Sequence, residues 1–556
     1  MNLHTVDTSA GAARPVLSLS KGRHPLPALA LSLLIAASVH VHAQTSPLRN
    51  SPPPAAAASG TLVSSSTTNG SFLLKEVRFT PTRAVPPAEL QALVKPFVGK
   101  AIDATELTVI AAAIRRAYEE RGFGMAGVGF PPQDLTQGVL QIAIVEPQVE
   151  RVVIESSPKP PVSMARTTAV LENSGVREGQ PLDLTALDRA MFTLNDWPGV
   201  AAKVTLLPTG DEGKYKVSVQ TERRRAWDAS IDADNLGSST SGRYRLGTLL
   251  RWNNPAGIGD NLDLRLLASN GNGTTVGRLG YEAPLGATPW RAGVGYSHVG
   301  YELGEQFAAL GAVGTANVLD ASLSYALVRS RDANLVGRLG LVNKKLTDET
   351  IDVPASNKRI RAAELTFSFE SRSSWGGGGY NGGSAGIELG KLTYDSTPAD
   401  TTTPGNFTKL SLQLTRLQAL TRTLSLFVGG AGQWSSKNLD NAEKFTLGGD
   451  KGVRAYPAAE GSSDEGVLLN AELRYWINTQ WSSFGFYDVG HGRLRKTPDA
   501  ITGENTRTLH GFGLGVQYTN AEVMVLKASI AWRGKDPVTS ESDSRKRLLL
   551  QVSHSF

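Results

Sequence analysis

The chain contains no cysteine, which removes both a disulfide framework and a thiolate metal site and is compatible with an exported protein. Histidine is sparse: the eight present are scattered, and no His-x3-His or His-Glu-x2-His pair occurs, so a zinc site is not expected. The stretch GGDKG, Gly448 to Gly452, lacks the Gly-x4-Gly-Lys-Ser/Thr spacing of a phosphate-binding loop. We therefore expect neither an enzyme nor a cofactor. The formal net charge of +6 is mild for 556 residues, and no basic stripe is interleaved with aromatics, so nucleic acid is not an expected partner. Beyond residue 43 there is no apolar run of the roughly 18 residues that a spanning helix needs. Any membrane crossing must then be made by strands.

What is present divides along the chain, as the length leads one to expect. Lys21, Arg23 and His24 precede the apolar run LPALALSLLIAASV, Leu26 to Val39, and Val41 to Ala43 (VHA) supply small residues at the outer cleavage positions. This predicts a secretory signal peptide over residues 1–43, cut after Ala43. Residues 44–71 are rich in Pro, Ala, Ser and Thr without helical periodicity, which predicts a linker.

From Phe72 the pattern becomes regular. FLLKEVRF reads as a strand, PPAELQALVKPFVG and DATELTVIAAAIRRAYEERGF as two helices, and VLQIAIVE as a strand. Asp103, with Glu106 three residues on, predicts a capped helix start, and Gly122 its end. The same grammar returns in VERVVIES, two helices around a Gly-Gln-Pro turn, AAKVTLLP and YKVSVQTE. Two small α+β units are expected, at 72–148 and 149–224.

From about residue 225 the helical period gives way to alternation. Leu246, Leu250 and Trp252 share one face, as do Val467, Leu469, Leu473 and Tyr475, and Phe512, Leu514, Val516 and Tyr518, with Gly, Ser, Arg, Asn or Glu between. Aromatics at the ends of these faces, polar residues opposite and turn-rich connections predict a transmembrane β-barrel over 225–556. At roughly 20 residues per strand and connection there is room for about 16 antiparallel strands. In RLLLQVSHSF, Leu548, Leu550, Val552, His554 and Phe556 share a face, resembling the C-terminal signature that outer-membrane proteins show to their insertion machinery.

One loop stands out in this region. EKFTLGGDKGVRAYPAAEG carries Arg454, and about thirty residues later FGFYDVGHG places Phe486, Asp488 and Gly490 on one strand face. Alternation in VLLNAELRY turns Glu472 inward as well. A planar guanidinium takes a carboxylate with two bonds, so Arg454 on an infolded loop would complement Asp488 and Glu472 on the wall. Val453-Arg454-Ala455-Tyr456 resembles the Val-Arg-Gly-Tyr/Phe motif in the sixth extracellular loop of the outer-membrane protein-translocating barrels, and FYDVG their Phe-x-Asp-x-Gly motif. The α+β units resemble POTRA domains, through YEERGFGMAGVGFPPQDLTQGVLQIAIVE in the first and LNDWPGV in the second. Together with DNLGSSTSGRYRLG, NNPAGIGDNL and LVRSRDANL, residues 72–556 most resemble the TpsB transporters of two-partner secretion, the haemolysin or haemagglutinin secretion and activation proteins.

The resemblance implies an outer-membrane transporter of a Gram-negative bacterium, with POTRA domains in the periplasm. Its implied partners are a secreted TpsA-like exoprotein, outer-membrane lipid and, during biogenesis, the barrel-insertion machinery. Because the loop motif also occurs in factors that insert other barrels, assembly is the alternative, although such factors generally carry more than two POTRA domains. A passive porin would leave both units idle. Two departures stand: Ala455 replaces the usual glycine, so the backbone there must accept a Cβ, and no amphipathic plug helix is recognisable after the export segment.

Overall fold

The computed structural model describes residues 71–556 except 212, 272, 352, 396–399, 459, 499–503, 521–522 and 543. The export segment and all of the linker but Ser71 lie outside the described residues.

In the first α+β unit, helices α1 (Pro87–Val94) and α2 (Ala104–Glu120) accompany a sheet ordered Glu76–Phe79, Val139–Val145, Gly127–Gly129, its first pair parallel and its second antiparallel. FLLKEVRF is two strands rather than one: Phe72–Leu73 pairs with Ala101–Ile102 outside that sheet. The split occurs because Leu74 is fully buried and its N–H goes to Lys100, whereas the Lys75 N–H goes to Gly138. Helix α2 opens on a reciprocal cap, with the Asp103 carboxylate accepting from Thr105 and Glu106 N–H and the Glu106 carboxylate accepting from Asp103 N–H. Ile110, Ile114 and Tyr118, four apart, form its buried stripe. The Tyr118 hydroxyl donates to Glu146 at 2.7 Å, and burial, then that carboxylate, raises its pKa above the ordinary phenol value.

The second unit repeats the plan. Helices α3 (Met164–Ser174) and α4 (Leu184–Asn195) start on Ser163 and Asp183 side-chain caps and pack on a sheet ordered Gln148–Ser156, Lys214–Arg223, Val200–Pro208. The core joins Val170, Leu171, Leu187, Leu194 and Trp197 to Val217 and Val219.

The remaining strands close on themselves. They are β1 (Trp227–Asp234), β2 (Arg245–Asn253), β3 (Asn261–Ser269), β4 (Thr274–Pro284), β5 (Trp290–Glu302), β6 (Val313–Arg329), β7 (Ala333–Thr350) and β8 (Val353–Ser373). They continue as β9 (Gly379–Tyr394), β10 (Gly405–Ala419), β11 (Leu424–Ser435), β12 (Glu465–Trp476), β13 (Trp481–Arg493), β14 (Thr506–Asn520), β15 (Met524–Arg533) and β16 (Lys546–Ser555). Each pairs antiparallel with the next, and β16 pairs with β1, giving a closed barrel of sixteen strands. No described helix is long and apolar enough to cross a membrane. Leucines and aromatics such as Leu246, Leu341, Leu469, Phe512 and Leu514 are exposed on the outer face. Cross-strand aromatic pairs Trp227–Trp252, Trp290–Tyr325 and Trp481–Tyr518 ring the end nearest the α+β units, at centroid distances of 4.9, 4.7 and 5.1 Å. Inside, charge is met by charge, as in Arg251–Asp263 at 2.6 Å and Arg278–Asp320 at 2.7 Å.

The second unit docks on the barrel's turns at this end. Arg329 binds Asp196 through two nitrogens at 2.6 and 2.7 Å, and Arg166 donates to the Pro284 and Gly286 carbonyls. Trp197 lies so close to Gly259 that a Cβ there would stand 2.6 Å from its ring.

Asp103→Ala should remove both capping bonds of α2 and cost the first unit about 1 kcal/mol. Hydrogen exchange on the full chain would show it as faster exchange of the Thr105 and Glu106 amides, while unchanged exchange would contradict it.

Candidate functional site

Residues 436–464, the connection between β11 and β12 at the barrel's far end, turn back into the lumen. KFTLGG adds no strand to the barrel. The segment makes one antiparallel bridge with its own returning limb, Phe445 with Ser463, and a second contact, Gly448 with Val453, that tightens the tip. Leu447, Val453, Ala455 and Tyr456 at that tip are fully or almost fully buried.

Between those apolar residues sits Arg454, itself buried. Its Nε donates to Asp488 Oδ2 at 2.9 Å and its Nη2 to Oδ1 at 2.8 Å, a two-point grip, and its backbone N–H adds a third bond to Oδ2 at 3.1 Å. The remaining terminal nitrogen, Nη1, donates to Glu472 Oε2 at 2.7 Å. Strands β12 and β13 are neighbours, so Glu472 and Asp488 reach the same guanidinium from adjacent strands, and the Phe486 ring on β13 lies 3.5 Å beneath it. Asn470, directly across from Asp488, donates to both Asp488 Oδ1 and the Gly452 carbonyl at 2.9 Å. Arg474 holds the other Glu472 oxygen at 2.6 Å. An ion set removed from water is held only when each lone pair and proton has a partner, and here the Arg454 head and both carboxylates are engaged.

The structure thus brings Arg454, Asp488, Glu472 and Phe486 into one cluster. Gly490 lies against the tip, where a Cβ would stand 3.4 Å from both Leu447 and Val453 side chains. Tyr456 faces elsewhere: its hydroxyl donates to the Asp536 carbonyl at 2.9 Å, and its own carbonyl accepts from Arg547. Phe556 is at the opposite end of the barrel, exchanging hydrogen bonds with Ala229 and Arg225.

Two further anchors of the loop escape sequence reasoning. On one limb, Glu443, fully buried, receives Lys344 and Lys409 at 2.5 Å each, and Asp440 receives Lys358 at 3.0 Å. These lysines come from β7, β10 and β8, so this limb is tied to a different part of the wall from the tip. On the other limb, Glu460 accepts from the Thr539 and Ser540 N–H and hydroxyl groups and from Arg507. The signal in the sequence is that Lys344, Lys358 and Lys409 fall on the inward side of the alternation, which names no partner.

The sequence profile of the haemolysin secretion/activation proteins ShlB/FhaC/HecB matches residues 213–518, and that of the ShlB-type POTRA domain residues 72–147. The chain belongs to this secretion/activation family. It is similar to the heme/hemopexin transporter protein HuxB of Haemophilus influenzae strain 86-028NP, 26% identical over 455 residues that cover 80% of each chain. It also resembles the outer membrane transporter CdiB of Escherichia coli, 24% identical over 462 residues, 78% of this chain and 74% of that one. Among solved structures, CdiB from Escherichia coli superposes with a TM-score of 0.73 at 20% identity, covering 89% of this chain and 92% of that one. CdiB from Acinetobacter baumannii gives 0.66 at 17% identity, covering 88% and 91%. As a family member the chain is an outer-membrane transporter of two-partner secretion, with POTRA structure on the periplasmic side and a secreted exoprotein as its partner. Proteins of this family are transporters rather than enzymes.

In this secretion/activation protein, Asp488→Ala should leave Arg454 buried with one carboxylate and weaken docking of residues 436–464 by about 3–5 kcal/mol. The expected readout is new protease cleavage within the loop of the folded barrel. A loop as resistant as in the parent protein would contradict the assignment.

Proposed function

We propose that residues 72–148 and 149–224 form two periplasmic POTRA domains that receive an unfolded exoprotein, which then passes through the barrel of residues 225–556 and folds outside. An extended segment of the client adds to a sheet edge, where backbone hydrogen bonds give affinity. The edges are guarded. Gln91 bonds the Val77 carbonyl, Arg115 the Val128 carbonyl and Glu178 the Val152 N–H, while Asn195 brackets the N–H and carbonyl of Ala202. Each guard keeps a bare edge from pairing indiscriminately, and an incoming strand replaces it bond for bond.

The infolded loop is the latch of this transporter, Arg454 being its bolt and Asp488 and Glu472 its keepers. The observation that supports this reading is the burial of the Arg454 head against Asp488 and Glu472 inside the closed barrel. Outer-membrane lipid surrounds the exposed apolar face, and Phe556 serves the insertion machinery as a C-terminal signal. Folding of the emerging client outside the cell supplies the drive.

Arg454→Ala should lower exoprotein secretion at least several-fold while the barrel still inserts, as judged by heat-modifiable migration. Normal secretion by an inserted, well-expressed variant would overturn the latch.

A further inference from the structure

The family motif places a glycine where this chain carries Ala455, and the structure shows what accommodates the extra methyl. Ala455 has no left-handed backbone angle, so its Cβ brings no conformational strain. The methyl group points at the wall of β14 over Gly511, where an added Cβ would stand 2.6 Å from the Ala455 Cβ, 3.1 Å from the Trp532 carbonyl oxygen and 3.5 Å from a Val453 methyl. Gly511 is the residue directly across the ladder from Asp488. Two adjacent wall positions therefore receive two adjacent loop residues: Asp488 takes the Arg454 guanidinium, and Gly511 takes the Ala455 methyl.

Nearby glycines act alike. A Cβ at Gly466 would stand 2.7 Å from the Phe445 ring, and one at Gly492 would run into the Ser463 side chain. Gly490 faces Leu447 and Val453 as described. Strands β12 to β14 thus present a trough of glycines, filled by side chains from both limbs of the loop.

We propose that Gly511 is a positioning residue, required because the loop carries Ala455, and that this glycine trough seats the loop by shape independently of the Arg454 ion pairs. The inference rests on the latch reading for its consequence in transport, but the seat itself is a property of packing. Overpacking a tight contact displaces one of its members, and only a compensating deletion across the same contact restores the fit.

The absence of cysteine gives a clean test. The Thr446 hydroxyl is buried without a hydrogen-bond partner, so Thr446→Cys places a single shielded thiol inside the loop. Its labelling by a membrane-impermeant maleimide is compared in the full-length protein with Gly511→Ala, with Ala455→Gly and with both. Gly511→Ala alone should raise the labelling rate by about tenfold, the change in opening that roughly 1.4 kcal/mol of overpacking brings. Ala455→Gly should label near the parent rate, and the double variant should fall back from the Gly511→Ala rate towards it, with only the 3.1 Å approach to the Trp532 carbonyl oxygen left over. If Gly511→Ala fails to insert but the double variant inserts with its thiol shielded, the pairing is equally supported. Unchanged labelling in Gly511→Ala, no rescue in the double variant, or failure of both to insert overturns it. Secretion measured on the same variants separates the two readings: raised labelling with normal secretion keeps the seat and removes the latch.

Discussion

A guanidinium held away from water is tolerated only where its charge and its donors are met, because desolvation of an unpaired ion exceeds anything that packing around it returns. Arg454 meets this condition through Asp488 and Glu472, which are fixed on neighbouring strands of a closed sheet. That pairing fixes the Arg454 head against the wall, while Val453 and Ala455 beside it are seated by packing against the glycines of β13 and β14. Barrel closure matters equally, since a rigid ladder fixes both carboxylates on neighbouring strands, and the planar guanidinium fork loses little freedom in meeting them.

The loop is held as a strut and not as a flap. Its first limb is tied through Glu443 and Asp440 to lysines on β7, β8 and β10, its tip to β12 and β13, and its return limb through Glu460 to Arg507 and to residues 539–540. Each site is a buried ion pair or a carboxylate surrounded by donors. Such arrangements add modest net stability but impose severe geometric selectivity, since breaking one leaves a buried charge exposed to no partner. In the proposed latch, release of the loop exchanges these bonds for others, with water or with the passing polypeptide.

Periodicity made the architecture legible. Alternation in stretches such as VLLNAELRY assigns Glu472 to the lumen and Leu469 and Leu473 to the lipid face, because a strand cannot turn neighbouring side chains the same way. The Asp103 and Glu106 pair likewise marks the start of α2 by local hydrogen bonding alone. The division of FLLKEVRF between two sheets was not legible, since it depends on which distant carbonyls receive the Leu74 and Lys75 N–H groups. Nor were Glu443, Asp440 and Glu460, whose partners lie 34 to 99 residues away. A residue's own neighbours in sequence carry no information about such partners.

From the amino-acid order alone came the barrel with its two α+β units, the inward side of Asp488 and Glu472, and Arg454 as the residue that complements them. Each is a consequence of strand alternation or of side-chain chemistry, and both are local. The tertiary structure alone decided how the loop is held along both limbs, how the second α+β unit docks through Arg329 and Asp196, and why an alanine fits where the motif has glycine. That last point depends on Gly511, more than fifty residues further along the chain, standing opposite Asp488. Which side chain meets which backbone across a closed sheet is settled by register, and register exists only once the strands have paired.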